Sequence, residues 1–459
     1  MVEVSGRKKA KRGRRILFVA YFHPPVTGAG TPAIQRVRRF IRHLPAEEIH
    51  LLTVRVDAYP SHVAVEACGG MEASRAVVHR TCTFSFFELF LAIRHGVRRV
   101  LGALKSTGGG GGRGDGFVVG EKRVRLSFQR LKDQVSAFFN YPDFARPWLI
   151  PAVLCGTRVV KERDIDWIIA TGMPWTSLIV GTLIRWLTGK KLAVDFRDPW
   201  VGNPYLDKGR AECFLDRCAE AVVVKWADLV VANTQRLKEE MAVRYPGLGK
   251  KIVMLPNGYD PADFRGLPQV SLPPGKLVVS HAGFLYLKRD PQAIVRVLER
   301  LDRRHRALSE TIEFHQVGAV LLDYDFEAFC EKLGVRSRVV LVGQMSHARC
   351  MGYLSASDIL LLIQPGTKTQ IPSKLYEYIY LAKPIMAITD RGGALGQLID
   401  RYAFGRVFGP EEYGPMADYL AVMAKRKRSG ETFRVEYRHG HRFDARHISA
   451  ELDRYLTVR

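Results

Sequence analysis

The sequence predicts an α/β protein made of two doubly wound domains facing across a cleft. Three observations carry this. At 459 residues the chain is too long for one ordinary core. Short apolar runs alternate with segments of helical spacing, first from Arg14 and afresh from Lys276. Between the two series stands "YDPADFRGLPQVSLPPGK", whose prolines and glycines mark an interdomain linker.

In chain order, "RRILFVAYF" reads as the first strand, stopped by Pro24 and Pro25. "TPAIQRVRRFIRHL" follows as a helix and "HLLTVRV" as the second strand. Strand, helix, strand implies a right-handed parallel unit. Residues 58–161 break this rhythm and read as an insertion, with a Gly-rich loop at 106–116 that is too poor in side chains to pack. Alternation resumes with "DWIIATG", a helix around Leu178 to Leu187, "KLAVDF", a long helix to Trp226, "DLVVANT", a helix to Tyr245, and "KIVMLPNG". The second series runs "KLVVSHAGF", a helix from Pro291, "IEFHQVGAV", a helix, "RVVLVGQ", a helix, "DILLLIQP", a helix from Ser373, and "PIMAIT". The expected organisation is a disordered basic arm at 1–13, a first domain at 14–262, a linker at 263–275, a second domain at 276–430, and a helical segment at 431–459 that packs back on the first domain.

Composition narrows the function classes. Lys and Arg number 70 against 46 Asp and Glu, a formal charge of +24, so anionic partners are favoured: phosphorylated small molecules, an anionic membrane face, or nucleic acid. No recognition-helix array, zinc motif or aromatic RNA-binding strand accompanies the charge, so specific nucleic-acid recognition is not expected. Seven cysteines, an odd count with no CxxC, argue for reduced cytosolic thiols rather than a disulfide framework or zinc site. "WIIATGMPWTSLIVGTLIRWL", Trp167 to Leu187, is as long as a spanning helix. Gly172, Pro174 and Arg185 interrupt it, and strand, turn and buried helix is the reading. Phe84 to Lys105 is aromatic, basic and amphipathic; it suits an anionic bilayer interface or a helix packed on its own domain.

Three motifs carry chemistry. In "PPVTGAGTPA", Gly28, Gly30 and Ala33 have a GxGxxA spacing, and Asp57 follows the second strand as a ribose acceptor would. The intervening "HPPVT" departs from the dinucleotide fingerprint, leaving a loop whose amides can approach an anion or sugar hydroxyl, or a structural turn. In "IPSKLYEYIYLAKPIMAI", Pro372 suits a helix start, Ser373 can cap it and Lys374 adds a cation. Glu377 shares a face with Ser373 and can accept two ribose hydroxyls; a capping box is the structural alternative. In "HAGFLYLKRDP", Lys288 and Arg289 lie just beyond the first strand of the second domain, where an open sheet binds ligands and where a Lys-Arg pair can clamp a diphosphate.

With these motifs in hand the chain resembles the GT-B glycosyltransferases of the large family 4 type. "AYFHPPVTGAGT", "ATGMPW", "DFRDPW", "ADLVVANT", "LPNGYDPADF", "GFLYLKRDP" and "PSKLYEYIYLAKPI" follow one another in that family's order. The resemblance implies two Rossmann-like domains, a nucleotide-sugar donor bound mainly by the second, and transfer with retention and without a required metal or cofactor. It puts Arg289 with Lys288 on the donor diphosphate, Ser373 and Lys374 at the phosphate-facing helix start, Gly283 among the donor-binding residues, Glu377 on the ribose, and Gly28, Gly30 and Thr31 in the first-domain loop over donor and acceptor. Two departures concern how the sugar is held: Thr369 stands where many members carry a second Glu, and Phe284 where many carry a basic residue.

"AVDFRDPW" closes the strand "KLAVDF" with Asp195, Arg197 and Asp198. A divalent ion is disfavoured by the guanidinium between the carboxylates. The expectation is that Arg197 pairs with one carboxylate and leaves the other, Asp198 ahead of Asp195, facing the acceptor; the alternative is a buried ion cluster closing the strand. The functional expectation is a retaining, metal-independent glycosyltransferase moving a sugar from a nucleotide-sugar to a saccharide or lipid-linked acceptor. It would serve cell-surface polysaccharide or glycolipid synthesis in the cytoplasm, peripheral on the inner face of the plasma membrane. A sugar-nucleotide epimerase on the same plan and a noncatalytic nucleotide-sugar-binding scaffold are the rivals, with an NAD-dependent oxidoreductase further off.

Overall fold

The structure is a computed structural model and describes residues 13–25, 31–59, 75–84, 141–286 and 288–459. The basic arm up to residue 12, Gly28 and Gly30, the segment from Phe84 to Lys105 beyond Phe84 itself, and the loop at 106–116 lie outside the described residues, as does most of the expected insertion.

Strands β1 (Arg15–Val19), β2 (Glu48–Val54), β3 (Val77–Thr81), β4 (Trp167–Gly172), β5 (Lys191–Phe196), β6 (Leu229–Ala232) and β7 (Ile252–Met254) form one sheet in the order 3-2-1-4-5-6-7. They alternate with helices α1 (Thr31–His43), α2 (Leu149–Glu162), α3 (Thr176–Thr188), α4 (Arg210–Trp226) and α5 (Gln235–Arg244). Every residue of β4 and β6 is buried, as expected of a parallel sheet covered on both faces. Trp167 to Leu187 resolves into β4, a turn at Pro174 and α3, which ends on Gly189 in the left-handed conformation at φ 68°. Among the described residues, no helix is long and apolar enough to cross a membrane.

The second sheet contains β8 (Leu277–Ala282), β10 (Ile312–Val317), β12 (Val339–Gly343), β13 (Ile359–Gln364), β14 (Ile385–Thr389) and β15 (Arg406–Phe408), in the order 12-10-8-13-14-15. The short strands β9 (Leu285–Tyr286) and β11 (Val320–Leu321) pair beside it. Renumbered from β8, this is the doubly wound order 3-2-1-4-5-6, whose direction reverses between β8 and β13. The helices are α6 (Gln292–Arg304), α7 (Arg306–Ser309), α8 (Phe326–Lys332), α9 (His347–Ala356), α10 (Lys374–Leu381), α11 (Ala394–Tyr402), α12 (Tyr413–Arg428) and α13 (Ala445–Val458). Side-chain caps start several of them: Asp325 accepts from Ala328 N–H and Ser346 from Arg349 N–H. Two apolar clusters fill the faces of this sheet. One is built on Leu277, Val279, Phe314, Ile363 and Leu420, the other on Leu360, Leu362, Leu375, Tyr378 and Phe404.

The chain divides into two compact units, with boundaries at Val37/Arg38, Leu44/Pro45, Val201/Gly202, Gly209/Arg210 and Val230/Val231. The residues of β8 to β15 all belong to the second unit.

Candidate functional site: a cationic cradle at the switch point of the second sheet

In an open α/β sheet the ligand crevice opens beyond the carboxyl ends of the strands where the order reverses. Here those ends are His281–Gly283 of β8 and Ile363–Gln364 of β13. Gly283 stands at φ 108°, a conformation L side chains rarely adopt, and a β-carbon built on it would lie 2.6 Å from Lys374 Cε and collide with Nζ. The Lys374 side chain therefore runs across the bare α-carbon. Gly318, at φ 129°, is needed for a related reason: a β-carbon there would stand 2.6 Å from the Gly283 carbonyl oxygen. Gln316 fixes the same carbonyl by donating from Nε2 at 2.6 Å, while its Oε1 meets His281 Nδ1 at 2.8 Å. Burial, with the Lys374 charge adding to it, pushes His281 down to about 3, so the ring is neutral and structural.

Lys374 is the most telling cation of the set. Among the described residues no group accepts a hydrogen bond from its ammonium. Burial, together with the neighbouring Arg289 charge, lowers its pKa to about 8. Arg289 is fixed from three sides: Nε donates to Gln364 Oε1 at 3.1 Å, and the guanidinium lies over the rings of Tyr286 at 5.4 Å and Tyr205 at 5.9 Å. Gln364 in turn donates to Tyr205 Oη at 2.8 Å and Thr367 Oγ1 at 3.0 Å. Lys288 Nζ donates to the Gly366 carbonyl at 3.3 Å.

Ser373 does not cap α10 as expected. Its backbone is already helical at φ −58°, ψ −25°, whereas a capping residue is extended, so the hydroxyl is not held over the first-turn amides. Instead the Leu375 and Tyr376 amides donate to the carbonyls of Pro372 and Ser373, each at 3.1 Å. Glu377 lies one turn further and is buried, with Oε1 on His347 Nε2 at 3.0 Å. Burial would raise its pKa, but the His347 hydrogen bond and the charges of His347, Arg39 and Lys374 overcome it and hold the carboxyl below its usual range. His347 moves the other way: burial opposes its charge, and the Glu377 hydrogen bond and carboxylate raise its pKa regardless. The capping-box alternative for Ser373 and Glu377 has no counterpart in these contacts.

In the first sheet, Asp195 at the end of β5 is buried and held by Arg36 of α1, whose Nε and Nη2 each reach one carboxylate oxygen at 2.9 Å, with Thr171 Oγ1 donating at 3.0 Å. Arg197 uses Nε on the Gly172 carbonyl at 2.9 Å and Nη2 on the Met173 carbonyl, in the field of both Asp195 and Asp198. Asp198 is half-buried at the strand exit. Thr31 opens α1. Asp57 lies three residues beyond β2 in a salt bridge with Arg55 at 3.0 Å, both exposed. Among the described residues no group of three or more His, Cys, Asp and Glu could hold a metal ion, and six cysteines are free thiols.

The sequence therefore found Gly283, Lys288, Arg289, Ser373, Lys374 and Glu377 around the ends of β8 and β13 and the start of α10. It missed His281, Gln316, His347, Gln364, Tyr205, Arg36 and Thr171. A signal existed for two of them: Gln364 is a polar residue ending the apolar run "ILLLIQ", and His347 follows the loop after β12, both at carboxyl ends of parallel strands.

No family model matches the chain, and no curated protein matches its sequence. Solved structures do match over nearly the full length. HepE from Anabaena, in complex with UDP and glucose, is 15% identical with a TM-score of 0.57, covering 97% of this chain and 100% of that one. Sucrose-phosphate synthase from Thermosynechococcus elongatus is 13% identical with a TM-score of 0.57, covering 97% and 99%. The lipopolysaccharide outer core galactosyltransferase WaaB, in its apo form, is 14% identical with a TM-score of 0.53, covering 97% and 99%. At such identities the likeness speaks for the fold, and that fold is the GT-B architecture of two Rossmann-like domains.

Proposed function

We propose that this chain is a glycosyltransferase that takes a sugar from a nucleotide-sugar donor and passes it to a saccharide or lipid-linked acceptor. One observation carries the reading: an ammonium with no hydrogen-bond acceptor among the described residues, Lys374, is laid across Gly283 beside Arg289 and Glu377 at the switch point of a doubly wound sheet. Lys374 and Arg289 suit a diphosphate, and fixed cations stabilise the negative charge that develops on a leaving diphosphate as the glycosidic bond breaks. They do so without a metal or other cofactor. Glu377, kept ionised and oriented by His347, has its second oxygen available for ribose hydroxyls. The ends of β4 and β5, with Asp198 and Arg197, take the acceptor side, and Asp195 ties the end of β5 to α1 through Arg36.

Membership of family 4, retention at the anomeric carbon and a role in cell-surface polysaccharide or glycolipid synthesis rest on the order of the sequence motifs. A cytoplasmic chain peripheral to an anionic membrane fits the +24 charge. HepE, described with UDP and glucose, makes UDP-sugars the first donors to try. The test is titration calorimetry against nucleoside diphosphates and their sugars, with and without magnesium, then product analysis with saccharide acceptors. Binding that is independent of magnesium and lost in Lys374→Ala supports the reading; failure of every nucleotide to bind removes it.

A further inference from the structure

Helix α4 turns two carboxylates inward and an apolar stripe outward. Its central carboxylates face the protein: Asp216 and Glu220 are 2% and 1% exposed, the first accepting from the Trp200 indole at 3.0 Å and the second from Val201 N–H at 3.0 Å. Val223 and Val224 are buried beside them, while four other apolar side chains face away. Phe214 is 65% exposed, and Leu215, Val222 and Trp226 are exposed with it. Leu215, Cys218, Val222 and Trp226 follow at spacings of three and four, so they form one stripe along the helix. The neighbouring α3 extends the stripe sideways with Leu187 and Trp186, the latter 58% exposed and meeting the Trp226 ring edge-on at 5.5 Å. Singly exposed apolar residues need no explanation, but a continuous apolar face with two tryptophans marks an interaction surface.

We infer that this face docks on an anionic lipid bilayer. The exposed charged residues of α4 are Arg210, Arg217 and Lys225 against Glu212, because the other two carboxylates of the helix are turned inward. The apolar stripe is thus bordered by net positive charge. A helix of this pattern lies in the bilayer plane with its apolar side chains among the upper acyl segments and its cations at the phosphates. Trp186 and Trp226 pair an apolar ring with one N–H donor, the combination that settles at headgroup depth. A second copy of the chain is the poorer occupant, since two faces of a chain carrying +24 repel, whereas an anionic surface attracts both. The inference is independent of the proposed reaction: it uses none of the second-sheet residues, and nucleotide binding is read separately.

Flotation of the full chain with phosphatidylcholine vesicles, and with vesicles that also contain phosphatidylglycerol, tests it. The account expects flotation with the anionic vesicles only, accompanied by a blue shift of tryptophan emission. Trp226→Asp and Trp186→Asp should each cut the bound fraction roughly fivefold or more, as expected for placing a carboxylate in an interfacial apolar stripe. Val222→Asp reports on the same stripe with both rings intact, and circular dichroism with thermal melting shows that each variant folds. No flotation of the wild-type chain, or flotation unchanged in these folded variants, overturns the inference. So does a dimer by light scattering that Trp226→Asp dissociates while no vesicle binds, which would assign the face to a second copy.

Discussion

The Lys374 ammonium lies across the α-carbon of Gly283, in space that a β-carbon at that position would claim. The glycine is therefore part of the cationic cradle and not only a flexible end to β8. Gly283→Ala must displace the lysine and strain a backbone at φ 108°. It should weaken nucleoside diphosphate binding by roughly tenfold or more, the worth of one charge-assisted hydrogen bond. Calorimetry on a variant shown to be folded reads this; affinity equal to wild type would mean that Lys374 is not where the phosphates sit.

The same lysine sets a pH dependence. Its folded pKa of about 8 lies below the ordinary 10.5, so the charged form is present at neutral pH and is lost as pH rises through 8. Affinity for a diphosphate should hold from pH 6.5 to 7.5 and then fall by up to about tenfold per pH unit. Stability without ligand should move oppositely. Above pH 8 the unfolded chain binds more protons at this residue than the folded one, so the lysine's contribution to stability rises between pH 8 and 10.5. Lys374→Met should flatten both trends.

His347 positions Glu377 through a 3.0 Å hydrogen bond. His347→Ala should leave the carboxylate buried without its donor, so that it reorients or takes up a proton. A ribonucleoside diphosphate should then bind about three- to tenfold more weakly, while its 2′,3′-dideoxy analogue, which offers Glu377 no hydroxyls, changes little. An equal loss for both ligands would mark His347 as structural only.

Asp195 and Asp198 separate by their partners. Removing the Asp195 carboxylate breaks its buried pair with the Arg36 guanidinium, and breaking such a pair costs about 3–5 kcal/mol. Asp195→Ala should therefore lower the melting temperature markedly. Asp198, half-buried at the strand exit, should give a variant that folds, binds donor and fails in transfer. Unfolding of Asp198→Ala would instead assign it to closing the strand.

Most strands were legible because parallel strands buried on both faces are written as apolar runs, such as "ILLLI" of β13 and "LVVA" of β6. The proposed donor-side cations were legible because Lys288 and Arg289 come just after the run of β8 and Lys374 stands at a proline-marked helix start. Partners that join distant elements were not. Arg36 and Asp195 are 159 residues apart and His347 and Glu377 are 30 apart, and no local spacing signals either pair. The Ser373 cap was misread because residue type suggested it while the helical backbone at that position prevents it. Helix α4 hides its meaning differently: "RAECFLDRCAEAVVVKW" is amphipathic by spacing, but spacing alone does not say that Asp216 and Glu220 are buried while Leu215, Val222 and Trp226 are exposed.

The account turns on whether the end of β8 and the start of α10 bind a nucleoside diphosphate. Titration calorimetry with UDP, GDP, ADP and dTDP on wild type and Lys374→Ala, side by side and without magnesium, measures this most directly. The account predicts saturable binding of at least one nucleotide and its loss by roughly tenfold or more in the variant. No binding by the wild-type chain, or equal binding by both, would contradict it.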